Sequence, residues 1–207
     1  MALKDYRELN SMQLDVLREI GNIGTGNAAT SLSSMLQKAV NITVPTISIL
    51  EYKQVTDLLG GPENMIVGIM FTLKGDVNGM MMFLLEKDFT HTVLNALLGQ
   101  ELHDFSEVDE MAMSALQEIG NIMAASYVNA IAQLTGLTID ISVPSTCIDM
   151  AGAILSVPAI FFGNISDHII LIQDSFNSDT DNLVSHILLI PEVDSLDSVM
   201  KHLGVGE

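Results

Sequence analysis

Two short strings carry the residues best suited to chemistry. Glu19 and Asn22 stand three apart in EIGNI, and Glu118 and Asn121 stand in a second EIGNI 99 residues later. An amide cannot titrate as a base, but with one donor and one acceptor it can hold a water in a fixed orientation. Asp15 precedes the first pair and Ser114 the second, so that Asp15, Glu19, Asn22 and Ser114, Glu118, Asn121 each occupy positions i, i+4 and i+7. On an α-helix such side chains fall within about 60° of one another and form a polar stripe about 10 Å long. A single stripe of this kind is ordinarily a solvated helix face. Its recurrence with Glu and Asn in the same two places asks for a narrower cause, although a recent duplication also leaves residues alike.

The elements that must position these stripes follow from periodicity. Leu14, Leu17, Gly21, Gly24, Ala28, Leu32 and Met35 recur at three- and four-residue spacing, which predicts a helix over 11–37 with Ser11 as its N-cap. The twin helix is expected from Ser106, paired with Asp109 as a capping box, to a stop at Gly136. A β-rich segment follows each helix and carries Pro45 or Pro144, which lack an N–H and belong at a sheet edge or strand end. Residues 66–86 predict a hairpin turning near Gly75 and Asp76, followed by a helix over 88–98. In the second half, 158–173 is expected to repeat that β pattern, with a strand at 183–190, a closing helix at 192–203 and an extra helix at about 146–155.

Self-similarity extends beyond the motifs. REIGNIGTGNAATSL (18–32) aligns with QEIGNIMAASYVNAI (117–131), and NITVPTISI (41–49) with DISVPSTCI (140–148), under one shift of 99 residues. Further on, 83–99 resembles 188–204 at an offset of 105, placing an insertion of about six residues between them, most naturally in the polar loop 175–182. The expected fold is therefore α+β. Two duplicated half-domains, about 1–100 and 101–207, form one domain over 1–207 with pseudo-twofold symmetry, a β-sheet flanked by the two long site-bearing helices and shorter helices. Gly21 and Gly120 directly precede the two Asn residues, and each costs roughly 1 kcal/mol against Ala in a helix interior. Either the helices pack closely there, or a partner needs room to approach Asn22 and Asn121.

Composition narrows the function classes. The 207 residues are 48% hydrophobic and 16% charged, as in an ordinary globular protein, and the thirteen Met residues suit adaptable packing. Net charge is −18, and between Lys87 and Lys201 there are sixteen acids and no Lys or Arg. Nucleic acid and anionic membrane surfaces, which are held by clustered cations, are not expected partners. Asp149, Pro144 and Pro158 interrupt the most apolar region, 141–163, so no membrane insertion is expected. A lone Cys147 and an N-terminus without an apolar signal core point to the cytoplasm. The five His residues are dispersed, GNIGTG has no following Lys, Asp179 and Asp181 lack EF-hand spacing, and no G-x-S-x-G occurs.

The full pattern is Asp or Ser, three residues, Glu, two residues, Asn, twenty-two residues, Pro. Asp15, Glu19, Asn22, Pro45 and Ser114, Glu118, Asn121, Pro144 both meet it. In this the chain resembles the CheC family of chemotaxis phosphatases, relatives of CheX and FliY, over essentially its whole length. Two sites and an end at Glu207 resemble the two-site members rather than one-site CheX or FliY with its further C-terminal domain.

The resemblance implies a substrate, the response regulator CheY phosphorylated on an aspartate. It also implies roles. Asn22 and Asn121 would orient water for in-line attack on phosphorus, and Glu19 and Glu118 would bind the regulator's Lys. Asp15, Ser114, Pro45 and Pro144 would support them. Such roles agree with a loose phosphoryl transition state that asks mainly for positioning. Magnesium is expected on the regulator and no metal or cofactor on this chain. A second implied partner is the receptor deamidase CheD, docking near 146–155 with Asp149 in contact, and the chain is expected to be a monomer.

Overall fold

The long helices begin where a side chain can cap them. The computed structural model describes residues 3, 5–163, 166–177 and 182–206. Helix α1 (Ser11–Leu36) starts from Asn10, whose side chain accepts from the Gln13 N–H at 3.0 Å while Gln13 accepts from the Asn10 N–H at 2.9 Å. Ser11, expected as the cap, is already helical; Asn10 has the extended backbone a cap requires. Helix α4 (Glu110–Thr135) starts from Asp109, which accepts from the Ala112 N–H at 2.8 Å. The expected start at Ser106 is overturned, because Ser106 lies in a separate three-residue 3-10 turn capped by Asp104. Gly136 ends α4 in the left-handed region at φ 74°, as the stop signal predicted.

The first half continues through β1 (Asn41–Ile42), β2 (Thr46–Glu51), α2 (Tyr52–Leu58), β3 (Met65–Gly75), β4 (Gly79–Leu85) and α3 (Lys87–Leu98). The second follows α4 with β5 (Ile139–Ile141), β6 (Ser145–Met150), α5 (Ala151–Phe162), β7 (His168–Asn177), β8 (Asn182–Pro191) and α6 (Val193–His202). One antiparallel sheet takes all these strands. At its centre β4 lies against β8, with Met82 opposite Leu188, and β3 and β7 flank them. Each outer position is filled by two strand pieces, β1 and β2 along β7 and β5 and β6 along β3. The halves are thus interleaved, since the first half's β2 pairs with the second half's β7 and β6 pairs with β3. Pro45 and Pro144 fall in the breaks between the paired pieces, at the edges where a missing N–H costs no ladder bond.

Helices cover both faces. On β3 a Cβ at Gly68 would meet Ile154 of α5, while its neighbour Ile69 lies against Gly120 of α4. Adjacent strand residues point to opposite faces, so α5 and α4 lie on opposite sides. The core is accordingly two-sided, and every residue of β4 is buried.

Two expectations in the second half are corrected. Of the helix expected at about 146–155, residues 146–150 are strand, because they complete the edge ladder on β3, and only 151–155 are helical. Helix α5 then runs through Pro158 to Phe162, taking the segment expected as strand. Periodicity cannot separate a buried helix from a strand in so apolar a run. The insertion is also mostly elsewhere. Thr46 and Ser145 begin β2 and β6, 99 apart, but Met65 and His168 begin β3 and β7, 103 apart, and α5 has 12 residues to the 7 of α2. Of the loop 175–182, residues 178–181, including Asp179 and Asp181, lie outside the described residues.

Candidate functional site

Helices α1 and α4 pack against one another, and their buried faces decide where the stripes point. Leu17, Ile20, Gly21, Gly24, Ala28 and Leu32 are buried on α1, as are Leu116, Ile119, Gly120, Met123, Ala124 and Tyr127 on α4. Asp15, Glu19, Asn22, Ser114 and Glu118 are exposed on the opposite faces, and Asn121 is half-buried. Among the described residues Glu19, Asn22, Glu118 and Asn121 make no side-chain hydrogen bond or ion pair. Such side chains are free to engage an incoming molecule. The supporting positions differ. Asp15 pairs with Arg18, whereas the Ser114 hydroxyl donates to its own helix at the Glu110 carbonyl, 2.9 Å away, and Gln117 stands where the first half has Arg18.

The glycines before the two Asn residues serve packing. A Cβ at Gly21 would lie 3.3 Å from Pro45 Cγ and from Ile47 Cδ1, and a Cβ at Gly120 would lie 2.8 Å from Ile69 Cγ2. Pro45 therefore braces α1 directly behind Asn22. Room for a partner is not their function, since both glycines are buried. Gly24 forms a notch for the Tyr127 ring, whose Cδ1 sits 2.7 Å from where a Cβ would be.

A polar cluster that sequence reasoning missed joins both helices to the sheet. Asp174 of β7 is fully buried, with Thr25 Oγ1 2.8 Å and Tyr127 Oη 2.5 Å from its carboxyl oxygens, and these two hydroxyls are 2.6 Å apart. Thr25 lies one turn after Asn22, and Tyr127 is on the same helix as Asn121. Three short O···O contacts need three protons, of which the hydroxyls supply two; a neutral carboxyl supplies the third. Burial raises the Asp174 pKa, against the opposing effect of the two hydroxyls, in agreement with that count. Burial likewise holds the Tyr127 phenol well above its ordinary value. The one available signal was an Asp ending the apolar run HIILIQD.

Asp149 is exposed on β6, opposite Ile66, and accepts from the Met150 N–H at 2.8 Å. Among the described residues no hydrogen bond or ion pair joins it to either stripe. Beyond it, α5 exposes Ile160 and Phe161. A cleft of about 270 Å³ beside α3, lined in part by Asn64, Glu86, Lys87 and Val184, contains no stripe residue. Both stripes lie along outward helix faces, a geometry that suits a reacting group carried on the surface of a macromolecule rather than a free small molecule. Among the described residues no three His, Cys, Asp or Glu side chains group to hold a metal, and no helix is long and apolar enough to cross a membrane.

Comparison with known proteins meets the same two segments. A CheC-like family profile matches residues 12–49 and 111–148, each running from the start of a site helix into the strand beyond its Pro. The CheY-P phosphatase CheC of Bacillus subtilis is 31% identical over 205 residues, covering 97% of this chain and 98% of that protein. The flagellar motor switch phosphatase FliY of Bacillus subtilis is 28% identical over 69% of this chain and 37% of its own length. Among solved structures, FliY of Thermotoga maritima superposes with a TM-score of 0.76 at 23% identity, covering 97% of this chain and all of that one, which marks a shared fold. With its doubled motif, its matching fold and a relative aligned almost end to end, this chain belongs to the CheC-like family.

Proposed function

We propose that this chain is a protein phosphatase that hydrolyses the phospho-aspartate of the response regulator CheY. One observation carries the proposal: Glu and Asn with free side chains stand on the solvent face of each site helix, in a chain 31% identical to a CheY-P phosphatase over 97% of its length. Asn22 or Asn121 enters the regulator's phosphoryl site and holds a water by donating to and accepting from it. The water oxygen bonds to phosphorus as the bond from phosphorus to the aspartyl oxygen breaks. The carboxylate leaves with the electron pair, and the water's hydrogens depart with inorganic phosphate and solvent. Positioning is the main lever in a transition state this loose. Glu19 and Glu118 pair with the regulator's Lys and fix the approach. Asp15 and Ser114 support the start of each stripe, Pro45 braces α1 behind Asn22, and Pro144 holds the equivalent place in the second half. Magnesium is held by the regulator, and no step asks this chain for a metal.

The deamidase CheD is a second proposed partner, docking on the second half over β6 and α5. Asp149 and the exposed side chains of Ile160 and Phe161, 75% and 69% accessible, support that face. We place the protein in the cytoplasm as a monomer.

The test of the catalytic reading is release of phosphate from CheY-P with Asn22→Ala and Asn121→Ala combined. The double variant should lose nearly all acceleration while still binding CheY-P. If it matches the parent, the amides do not position the water; if only binding is ever seen for the parent, the chain is a sequestering module.

A further inference from the structure

The most exposed large apolar side chains among the described residues are not scattered. Val143 is 87% accessible, Val44 77%, Ile160 75%, Phe161 69%, Met111 67% and Met12 61%. Four of these six are two pairs under the 99-residue shift that relates the sites, Met12 with Met111 and Val44 with Val143. Isolated apolar residues on a surface need no explanation. The same two at the same register in both halves do, all the more because the residues around them have diverged, Arg18 to Gln117 and Gly24 to Met123 among them.

Their placement brackets the stripes. On α1, Met12 stands seven residues before Glu19, on the same helix face and at the N-terminal end of the stripe. At the other end, Pro45 lies against Gly21, and Val44 projects from the strand break beside the Asn22 end. In the second half, Met111 opens α4, and Val143 lies in the matching break between β5 and β6. On α1 the polar stripe of about 10 Å is thus flanked by Met12 at its N-terminal end and Val44 near its Asn22 end, and the second half carries Met111 and Val143 at the same register.

We propose that Met12 with Val44, and Met111 with Val143, are paired apolar anchors that dock the phosphorylated regulator across each Glu and Asn stripe. This rests on the phosphatase reading above. The occupant is argued from what lies between the anchors: an unpartnered carboxylate that attracts a protein presenting a cation beside its phosphoryl group, and an amide that must enter that group's cleft. Anchors at both ends fix translation and tilt, which a single Glu–Lys contact leaves free. They act in binding and alignment, not on the reacting atoms.

Testing needs one site at a time. In an Asn121→Ala background, Met12→Ser with Val44→Ser is assayed on CheY-P hydrolysis. The mirror experiment uses Asn22→Ala with Met111→Ser and Val143→Ser. A rise in KM of about tenfold or more with little change in kcat is expected, the size of effect of losing one well-buried apolar contact. Exposed positions of this kind leave folding intact, and thermal unfolding checks it. An unchanged KM, where the Asn variants do abolish turnover, overturns the anchors while the catalytic reading stands. Sedimentation supplies the rival outcome: dimers of the parent that dissolve in the Ser variants assign this surface to a second copy instead. Activity that survives loss of both Asn residues defeats the catalytic reading and leaves the anchors to be judged by direct CheY-P binding, which the Ser variants must weaken if the proposal holds.

Discussion

Gly21→Ala and Gly120→Ala are the same substitution at equivalent positions, yet the structure predicts different outcomes. At Gly120 the new Cβ would lie 2.8 Å from Ile69 Cγ2 and 3.1 Å from its Cδ1. Carbon atoms settle at about 3.5–4.0 Å, so the pair must separate by at least about 0.7 Å. Ile69 is fully buried in a β-branched side chain that is stiff at χ1, so it cannot swing aside and α4 must move. Such overpacking costs about 1–3 kcal/mol, against about 1 kcal/mol gained by replacing Gly in a helix. At Gly21 both neighbours are 3.3 Å away and Ile47 is only half-buried, so a shift of a few tenths of an ångström suffices. Gly21→Ala should therefore be neutral or stabilising by up to about 1 kcal/mol. Gly120→Ala should be neutral at best and destabilising by up to about 2 kcal/mol, where each kcal/mol moves Tm by about 2–4 °C in a chain of this length. Urea unfolding of both variants measures the difference. Phosphate release with the other site silenced should show Gly120→Ala impairing the α4 site more than Gly21→Ala impairs the α1 site. Equal losses, or a more harmful Gly21→Ala, would refute the packing argument.

Asp174→Asn tests the buried ring, because an amide supplies the third proton at every pH. The folded-state pKa of Asp174 is raised, so the folded protein holds a proton that the unfolded chain releases near 3.9; the parent's stability falls as pH rises from there through the raised value and is flat above it. The difference between parent and variant in urea unfolding should follow that course, and a difference independent of pH would show that the carboxyl is not neutral in the fold. On the second half, Asp149→Ala should weaken capture of purified CheD without altering CheY-P hydrolysis, and undiminished capture removes Asp149 from that interface.

What was legible in the sequence was periodic or repeated. Helix spacing marked α1 and α4 to within a few residues, and the 99-residue register located both stripes and put Pro45 and Pro144 together with them. The stripes were legible because helical geometry is local: i, i+4 and i+7 share a face whatever the rest of the chain does. The capping errors at Ser11 and Ser106 are errors between neighbouring candidates, since Asn10 and Asp109 cap equally well by type. The strand at 145–150 is not legible locally because its partner, β3, lies some eighty residues away.

Only tertiary structure could decide the rest. EIGNI is one string, yet Gly21 meets Pro45 and Gly120 meets Ile69, a difference set by neighbours from other strands. Thr25, Tyr127 and Asp174 are unremarkable apart and form a hydrogen-bonded ring only when β7 passes beneath both helices. Val44 and Val143 look like strand interior in the sequence, and only the edge breaks place them in solvent. Sequence alone marked out the residues of the two stripes, because that pattern is local and doubled. The fold determined which faces are buried, which are free and how the two sites differ, because burial depends on contacts between residues far apart in the chain.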